Sequence, residues 1–429
     1  MPAVPSLLKL ILPGALLFAA NFSAAGQQYK VLHTFLASPD GDEPYAGLVM
    51  DATGNLYGTT YHGGTEGTVF RLTPGPNGKW AESVLYDFSN PATGGYPLGD
   101  VKLDAFGNLY GTADPTAGNN GVVFELTPTS SGFWNGYPIH TFTGETDGIQ
   151  PWAGVIFDKS GNLYGTTTAG GSHGVGGCGV VFELTPSGGM WTETILHAFS
   201  GGRDGCFPAN GDLVFDKAGN LYGTTMNGGA GCGNQGCGTV YELSQQGGVW
   251  TKKTIYSFKG GADGTLPTCA LVLDRAGNLY GTTPVGGTGP CDIESTPGCG
   301  TVFKLTPRAA GKWRKTTIYN PDGTSGGGLF GGVIFDGSGN LYGTMTFYGK
   351  ASDNCQAGCG SVYKLTPGDG GKWTPSTVYE FSGTADGGEP FDRLLLDKAG
   401  SIFGTTYYGG GSAGNCKVLG CGVVFEIKR

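Results

Sequence analysis

Eleven cysteines and a recurring Asp-Gly-x-x-Pro string are the residues whose types and spacing could do chemistry in this chain. Four pairs of cysteines stand close together: Cys232 with Cys237, Cys291 with Cys299, Cys355 with Cys359, and Cys416 with Cys421. In each pair the second Cys sits one residue before the Gly that opens an apolar run, and Cys178 holds the same place. Zinc wants Cys and His converging at short spacing, but the five histidines are scattered, so no metal site is assigned. The pairs read as disulfides closing single loops, as expected of an exported chain. Cys206 is the sensible partner for Cys178, and Cys269 is left over. Each bridge would stabilise by roughly 2 to 3 kcal/mol through loop entropy, giving rigid loops.

The Asp-Gly-x-x-Pro strings begin at Asp40, Asp147, Asp204, Asp263 and Asp386, with a partial copy at Asp322. Repeated around a ring, these carboxylates are expected to encircle the mouth of a central channel, where they could hold calcium or bond a polyhydroxylated ligand. The plainer reading is that Asp-Gly makes a turn and Pro stiffens the approach to the next strand. Aromatic side chains cluster in another set of loops, with Tyr61 beside His62, Phe347 beside Tyr348 and Tyr407 beside Tyr408. Aromatic faces near carboxylates suit sugar stacking, and packing of loop on loop is the alternative. Gly323-Thr324-Ser325-Gly326-Gly327 fits a nucleophile-elbow string but lies in a Gly-rich loop rather than on a strand-to-helix turn, so no catalytic residue is assigned.

The elements that would position these groups are repeats. Gly-Asn-Leu-Tyr-Gly-Thr starts at Gly54, Gly107, Gly161, Gly219, Gly277 and Gly339, with a seventh, degenerate copy at Gly400, at spacings of 53 to 62 residues. Each unit holds four β-runs. The first is short and apolar, as in Gly154-Val155-Ile156-Phe157, and its unbroken apolar character predicts burial on both faces. It ends in Asp, followed three residues later by the Gly of the repeated string, so the Asp caps a hairpin turn. The third run ends in most units at Thr-Pro, and the fourth opens with Trp80, Trp134, Trp191, Trp250, Trp313 or Trp373, read as knobs between neighbouring units. The seventh unit lacks its fourth run, and Tyr29 to Phe35 supplies one at the other end. This predicts an all-β, seven-bladed propeller of four-stranded antiparallel blades over residues 26–429, closed by the N-terminal strand. All the cysteines then fall on one face with the long loops.

Residues 1–25 read as a signal peptide, with Lys9 before an apolar run from Leu10 to Ala20 and cleavage near Ala25. The run is too short for a membrane span. A net charge of −9 with dispersed acids argues against nucleic acid and anionic membranes as partners.

The unit Asp-x-x-Gly-Asn-Leu-Tyr-Gly-Thr-Thr, followed by Gly-Gly and then Gly-x-Val-Phe-x-Leu-Thr-Pro, resembles the bacterial tandem repeat called GloVer, found in exported "choice-of-anchor" proteins. The resemblance runs over about residues 28 to 429 and implies an exported or surface β-propeller without an assigned activity. The expectation is therefore a secreted, monomeric binding module that takes a glycan or a protein on its Cys-rich loop face and needs no cofactor, calcium being the one ion its Asp ring could hold. The competing readings are an extracellular polysaccharide lyase, hydrolase or lactonase with an Asp or metal site at the channel mouth, and a structural scaffold of the cell envelope.

Overall fold

The computed structural model describes residues 28–428 except 117–118, 172–175, 209–210, 294, 354, 412–415 and 417–419. The proposed signal peptide lies outside the described residues. Seven four-stranded antiparallel sheets succeed one another in chain order around an axis. Blade 3 is typical, running from the inside outwards through Ile156–Phe157, Leu163–Thr167, Val180–Ser187 and Met190–Ala198. Blade 7 takes Leu395–Leu396, Ile402–Thr406 and Val423–Lys428 from one end of the chain and Gln28–Thr34 from the other. Gln28 pairs with Lys428 and Thr34 with Val423, so the N-terminal strand closes the ring as its sequence pattern predicts.

The repeated string is explained by what its side chains touch. In blade 1, Asp51 accepts bonds from the Thr53 and Asn55 amides at 2.8 and 2.9 Å, and from the Asn55 side chain and the Tyr57 hydroxyl at 2.7 and 3.0 Å. Burial would push this carboxyl up, but those bonds hold it at about 2. Asn and Tyr are thus bound to the turn Asp. The second Gly of the string lies under the aromatic ring of the third strand, where a Cβ at Gly58 would come 2.7 Å from Phe70. Tyr then reaches the next blade, where Tyr57 meets Trp134, Tyr110 meets Trp191 and Tyr164 meets Trp250 with ring centres 6.0 to 6.4 Å apart. The tryptophans are inter-blade knobs.

One expectation is corrected. The fully buried strand is the second of each blade, as in Leu56–Thr60, whereas the innermost strands are only half-buried. Except at Lys102 they are apolar, yet in blades 3 to 6 Ile156, Val214, Val272 and Ile334 line an axial cavity instead of packing only against protein.

Candidate active region at the channel and its rim

The residue two places before each inner strand faces its six counterparts around the axis. Those seven are Gly47, Asp100, Gly154, Asp212, Ala270, Gly332 and Arg393. Four are small and three are charged, and the charged ones meet across the channel. Arg393 Nη2 binds Asp100 and lies 2.8 Å from Asp212 Oδ2, while Lys102 Nζ lies 2.8 Å from Asp212 and 3.4 Å from Asp100. The Gly47 amide donates to Asp100 at 2.7 Å and to Asp392 at 2.9 Å. Burial would raise Asp100, but Arg393 and Lys102 hold it well below the usual carboxylate range. Asp392, by contrast, is raised well above that range by burial and by the charge of Asp100. The carboxylates of Asp100 and Asp212 and the two cations therefore balance, with Asp392 beside them, in a plug that divides the channel.

Beyond the plug, towards the Asp-x-x-Gly turns, opens a cavity of about 500 Å³ lined by Ile156, Val214, Val272, Ile334 and Phe335. On the loop side a pocket of about 10 Å³, the room of one water at most, lies among Tyr45, Leu98, Thr268, Phe330 and Phe391. The rings that close this side continue outwards. Tyr45 stacks on Phe391 with centres 4.9 Å apart, Phe391 meets Tyr407 at 5.3 Å, and Tyr407 meets Tyr408 at 4.5 Å. Phe347 reaches the same Phe391 at 6.0 Å, and Tyr96 sits 5.4 Å from Tyr61 and 5.7 Å from His62.

Three acids stand among these rings. Glu43, its side chain 5 % exposed, accepts from the Tyr407 hydroxyl at 2.7 Å and lies 2.6 Å from His62 Nδ1. Asp114 accepts from the Trp152 indole at 2.9 Å and is pushed by burial up to about 7. Burial raises Glu389 to about 7 as well. The backbone that carries the rim is strained, since Glu43, Tyr96 and Glu389 all precede a proline and hold φ of 57°, 49° and 55°. Left-handed non-glycine residues cost roughly 1 to 3 kcal/mol each, and the same corner stands at Gln150, Phe207 and Leu266, with φ of 59°, 58° and 56°, so it belongs to the repeat. Here the Tyr61 and Tyr407 amides hold the carbonyls of Glu43 and Glu389 at 3.0 and 3.1 Å.

The repeat itself decides the family, since the family model named Gloeobacter/Verrucomicrobia repeat matches residues 16–177 and 172–346. The chain belongs to that repeat family. Among curated proteins nothing matches its sequence. Of solved structures, a candidate 6-phosphogluconolactonase from Bacteroides uniformis is similar at a TM-score of 0.50 and 12 % identity, over 82 % of this chain and 95 % of that one. A PQQ-bound aldose sugar dehydrogenase from Streptomyces coelicolor is similar at 0.43 and 12 %, over 94 % and 99 %. At 12 % identity the first of these likenesses bears on the fold alone.

In this member of the Gloeobacter/Verrucomicrobia repeat family, five disulfides join Cys232 to Cys237, Cys291 to Cys299, Cys355 to Cys359 and Cys416 to Cys421, the four close pairs, and Cys178 to Cys206 across 28 residues. They suit a chain that matures outside a reducing compartment. Among the described residues no helix is long and apolar enough to cross a membrane. Cys269 is free and buried, its sulfur accepting from the Thr282 amide at 3.1 Å.

The expected carboxylate ring at the channel mouth is corrected. Asp40, Asp147, Asp204, Asp263 and Asp386 each accept from the amide four residues earlier, those of Leu36, Thr143, Ser200, Lys259 and Ser382, at 2.8 to 2.9 Å. Each also faces a residue of the outermost strand just traversed: His33, His140, His197, Tyr256 or Tyr379. The loop leaves the outer strand and reaches the axis only after the proline, so the Asp stays at the seam between blades. Of the aromatic candidates, His62, Phe347, Tyr407 and Tyr408 belong to the rim. Tyr348 does not: its hydroxyl bonds the amide and carbonyl of Asp292 at 2.7 and 2.8 Å, tying one disulfide loop to the next. Sequence reasoning missed Tyr45, Phe391, Asp100, Asp212 and Arg393. Aligning the units on their inner strands would have exposed the charged three, which stand in a column of Gly and Ala.

Proposed function

We propose that this protein is an exported carbohydrate-binding propeller that holds a glycan on the loop-face rim between Tyr61, Tyr96, Tyr407 and Tyr408. The observation that supports this reading is the company the rim acids keep. Glu43 is held by Tyr407 and His62, Asp114 by the Trp152 indole, and among the described residues neither Asp114 nor Glu389 makes an ion pair with Lys or Arg. Rings and hydrogen-bonding carboxyl groups side by side suit the apolar faces and hydroxyls of a sugar. The channel acids are matched by Arg393 and Lys102, which favours a framework role for them over acid–base chemistry. Disulfide-closed loops around the rim would keep it in shape for binding, a lower entropic cost than ordering free loops.

The test is a glycan-array screen of the mature chain, followed by calorimetry on any oligosaccharide retained. Binding that falls at least tenfold in Tyr407→Ala and persists in Tyr348→Phe is expected. A folded protein that retains no glycan, or one whose binding ignores Tyr407, would overturn the reading.

A further inference from the structure

Four of the seven seams between blades carry a three-residue node. It comprises a residue of one outermost strand, the Asp of the connecting loop, and the residue two places after the Trp of the next blade. At the seam of blades 3 and 4 these are His197, Asp204 and Lys252, and Lys252 Nζ lies 2.8 Å from the Asp204 carboxylate. At the seam of blades 4 and 5 they are Tyr256, Asp263 and Lys315, again with 2.8 Å between Nζ and carboxylate. The third residue there supplies the positive charge that the Asp requires.

Between blades 2 and 3 the third residue is Glu193, so His140, Asp147 and Glu193 bring two carboxylates and an imidazole together without a cation among them. His140 Nε2 lies 3.9 Å from Asp147 Oδ2 and 3.6 Å from Glu193 Oε1, and one ligand atom from each residue lies within 4.8 Å of the others. His140 Nε2 and Glu193 Oε1 are wholly buried and make no hydrogen bond. Such atoms are costly to leave unmade. Asp147 is meanwhile oriented by the Thr143 amide and hydroxyl and the Gly144 amide at 2.8, 2.7 and 3.2 Å. Fixing a ligand carboxylate in this way is what surrounding hydrogen bonds do in metal sites. The same residue types at the seam of blades 7 and 1 are arranged otherwise. His33 Nε2 lies 3.2 Å from both oxygens of Asp40, so that pair is closed on itself.

We propose that His140, Asp147 and Glu193 form a divalent-cation site of the zinc class that clamps blade 2 to blade 3. The ion would stand where Lys252 and Lys315 place their ammonium groups in the next two seams. Zinc bonds to His nitrogen and carboxylate oxygen are about 2.0 to 2.2 Å, which sets neighbouring ligand atoms roughly 3.3 to 3.6 Å apart in a tetrahedron. Two of the observed separations, 3.6 and 3.9 Å, stand close to this spacing, and the carboxylates of Asp147 and Glu193, within 4.8 Å of each other, would draw together on the ion. An imidazole beside two carboxylates selects a transition-type ion over calcium, which prefers oxygen alone. The clamp lies at the outer seam and is independent of the sugar rim.

The experiment titrates zinc chloride into the chelator-treated mature protein by calorimetry, with elemental analysis after gel filtration and thermal melting in parallel. The wild type is expected to take up one equivalent at micromolar affinity or tighter and to melt higher when loaded. Glu193→Lys copies the Lys252 node, so it is expected to fold, to melt no lower than the metal-free wild type and to bind zinc at least a hundredfold more weakly. His140→Gln is expected to lose the site as well, and Glu193→Gln serves if the Lys variant fails to fold. Absence of zinc uptake by the folded wild type, or uptake undiminished in both Glu193 variants, overturns the proposal.

Discussion

Carboxylates gather in two places near the axis, and the contrast lies in what surrounds them. In the plug, Asp100 and Asp212 are buried against Arg393 and Lys102, and the charges cancel. On the rim, Glu43, Asp114 and Glu389 are held by phenol, imidazole, indole and burial instead. A matched buried network fixes geometry and gives a visiting ligand little to do, whereas acids held by phenol, imidazole and indole hydrogen bonds can exchange those partners for a ligand's hydroxyls. On the function proposed above, the plug is the framework of the axis and the rim its binding surface.

The contrast can be broken first at the plug. Arg393→Met leaves two carboxylates facing only Lys102, and denaturant unfolding should show a loss of about 3 kcal/mol, with glycan affinity per folded molecule unchanged. A loss of affinity at unchanged stability would assign the sugar to the channel instead. On the rim, Tyr407→Ala should weaken binding by about 2 kcal/mol in calorimetry while lowering stability less than the plug variant does. Tyr407→Phe, which removes only the bond to Glu43, should cost about 1 kcal/mol in the same assay.

The pH response separates the two regions more finely. Asp114 and Glu389 bind protons up to about pH 7 in the folded state, whereas unfolded carboxyls release them near pH 4. Their contribution to stability is thus fullest below about pH 4 and is lost as pH rises towards 7, by about 1 kcal/mol each after solvent screening. Melts across this range should flatten in Asp114→Asn with Glu389→Gln. Asp100 has the opposite sign: its lowered pKa stabilises above the usual carboxylate range and is lost only in strong acid. Tyr348→Phe should have the smallest effect, leaving glycan affinity within twofold, because that hydroxyl serves a loop-to-loop contact.

What was legible in the sequence is what repetition displays. The turn Asp residues, the Trp knobs and the Cys before the third strand recur at set places in the unit, so one unit interprets the others, and the one strand missing from the last unit is found at the other end of the chain. The channel plug was hidden because it breaks the column: Asp100, Asp212 and Arg393 occur where other units have Gly or Ala, and no single unit reveals that they meet. The Asp-Gly-x-x-Pro residues misled for the converse reason. Their regular recurrence suggested a ring of ligands, but a loop Asp bonds the nearest free amide, four residues back, before its chain has reached the axis.

The pairing of Gln28–Thr34 with Val423–Lys428 sets a timetable for assembly. A chain made from its N-terminal end presents the first of these strands at the outset and its partner last, so that strand stays an unpaired edge while six blades take shape. Contacts of such sequence separation form late and slowly. A chain interrupted before Val423 would hold two open sheet edges, the surfaces along which β-proteins join one another. Completion of the ring thus separates finished molecules from sticky fragments, and the strand that begins the propeller acts as its final inspection.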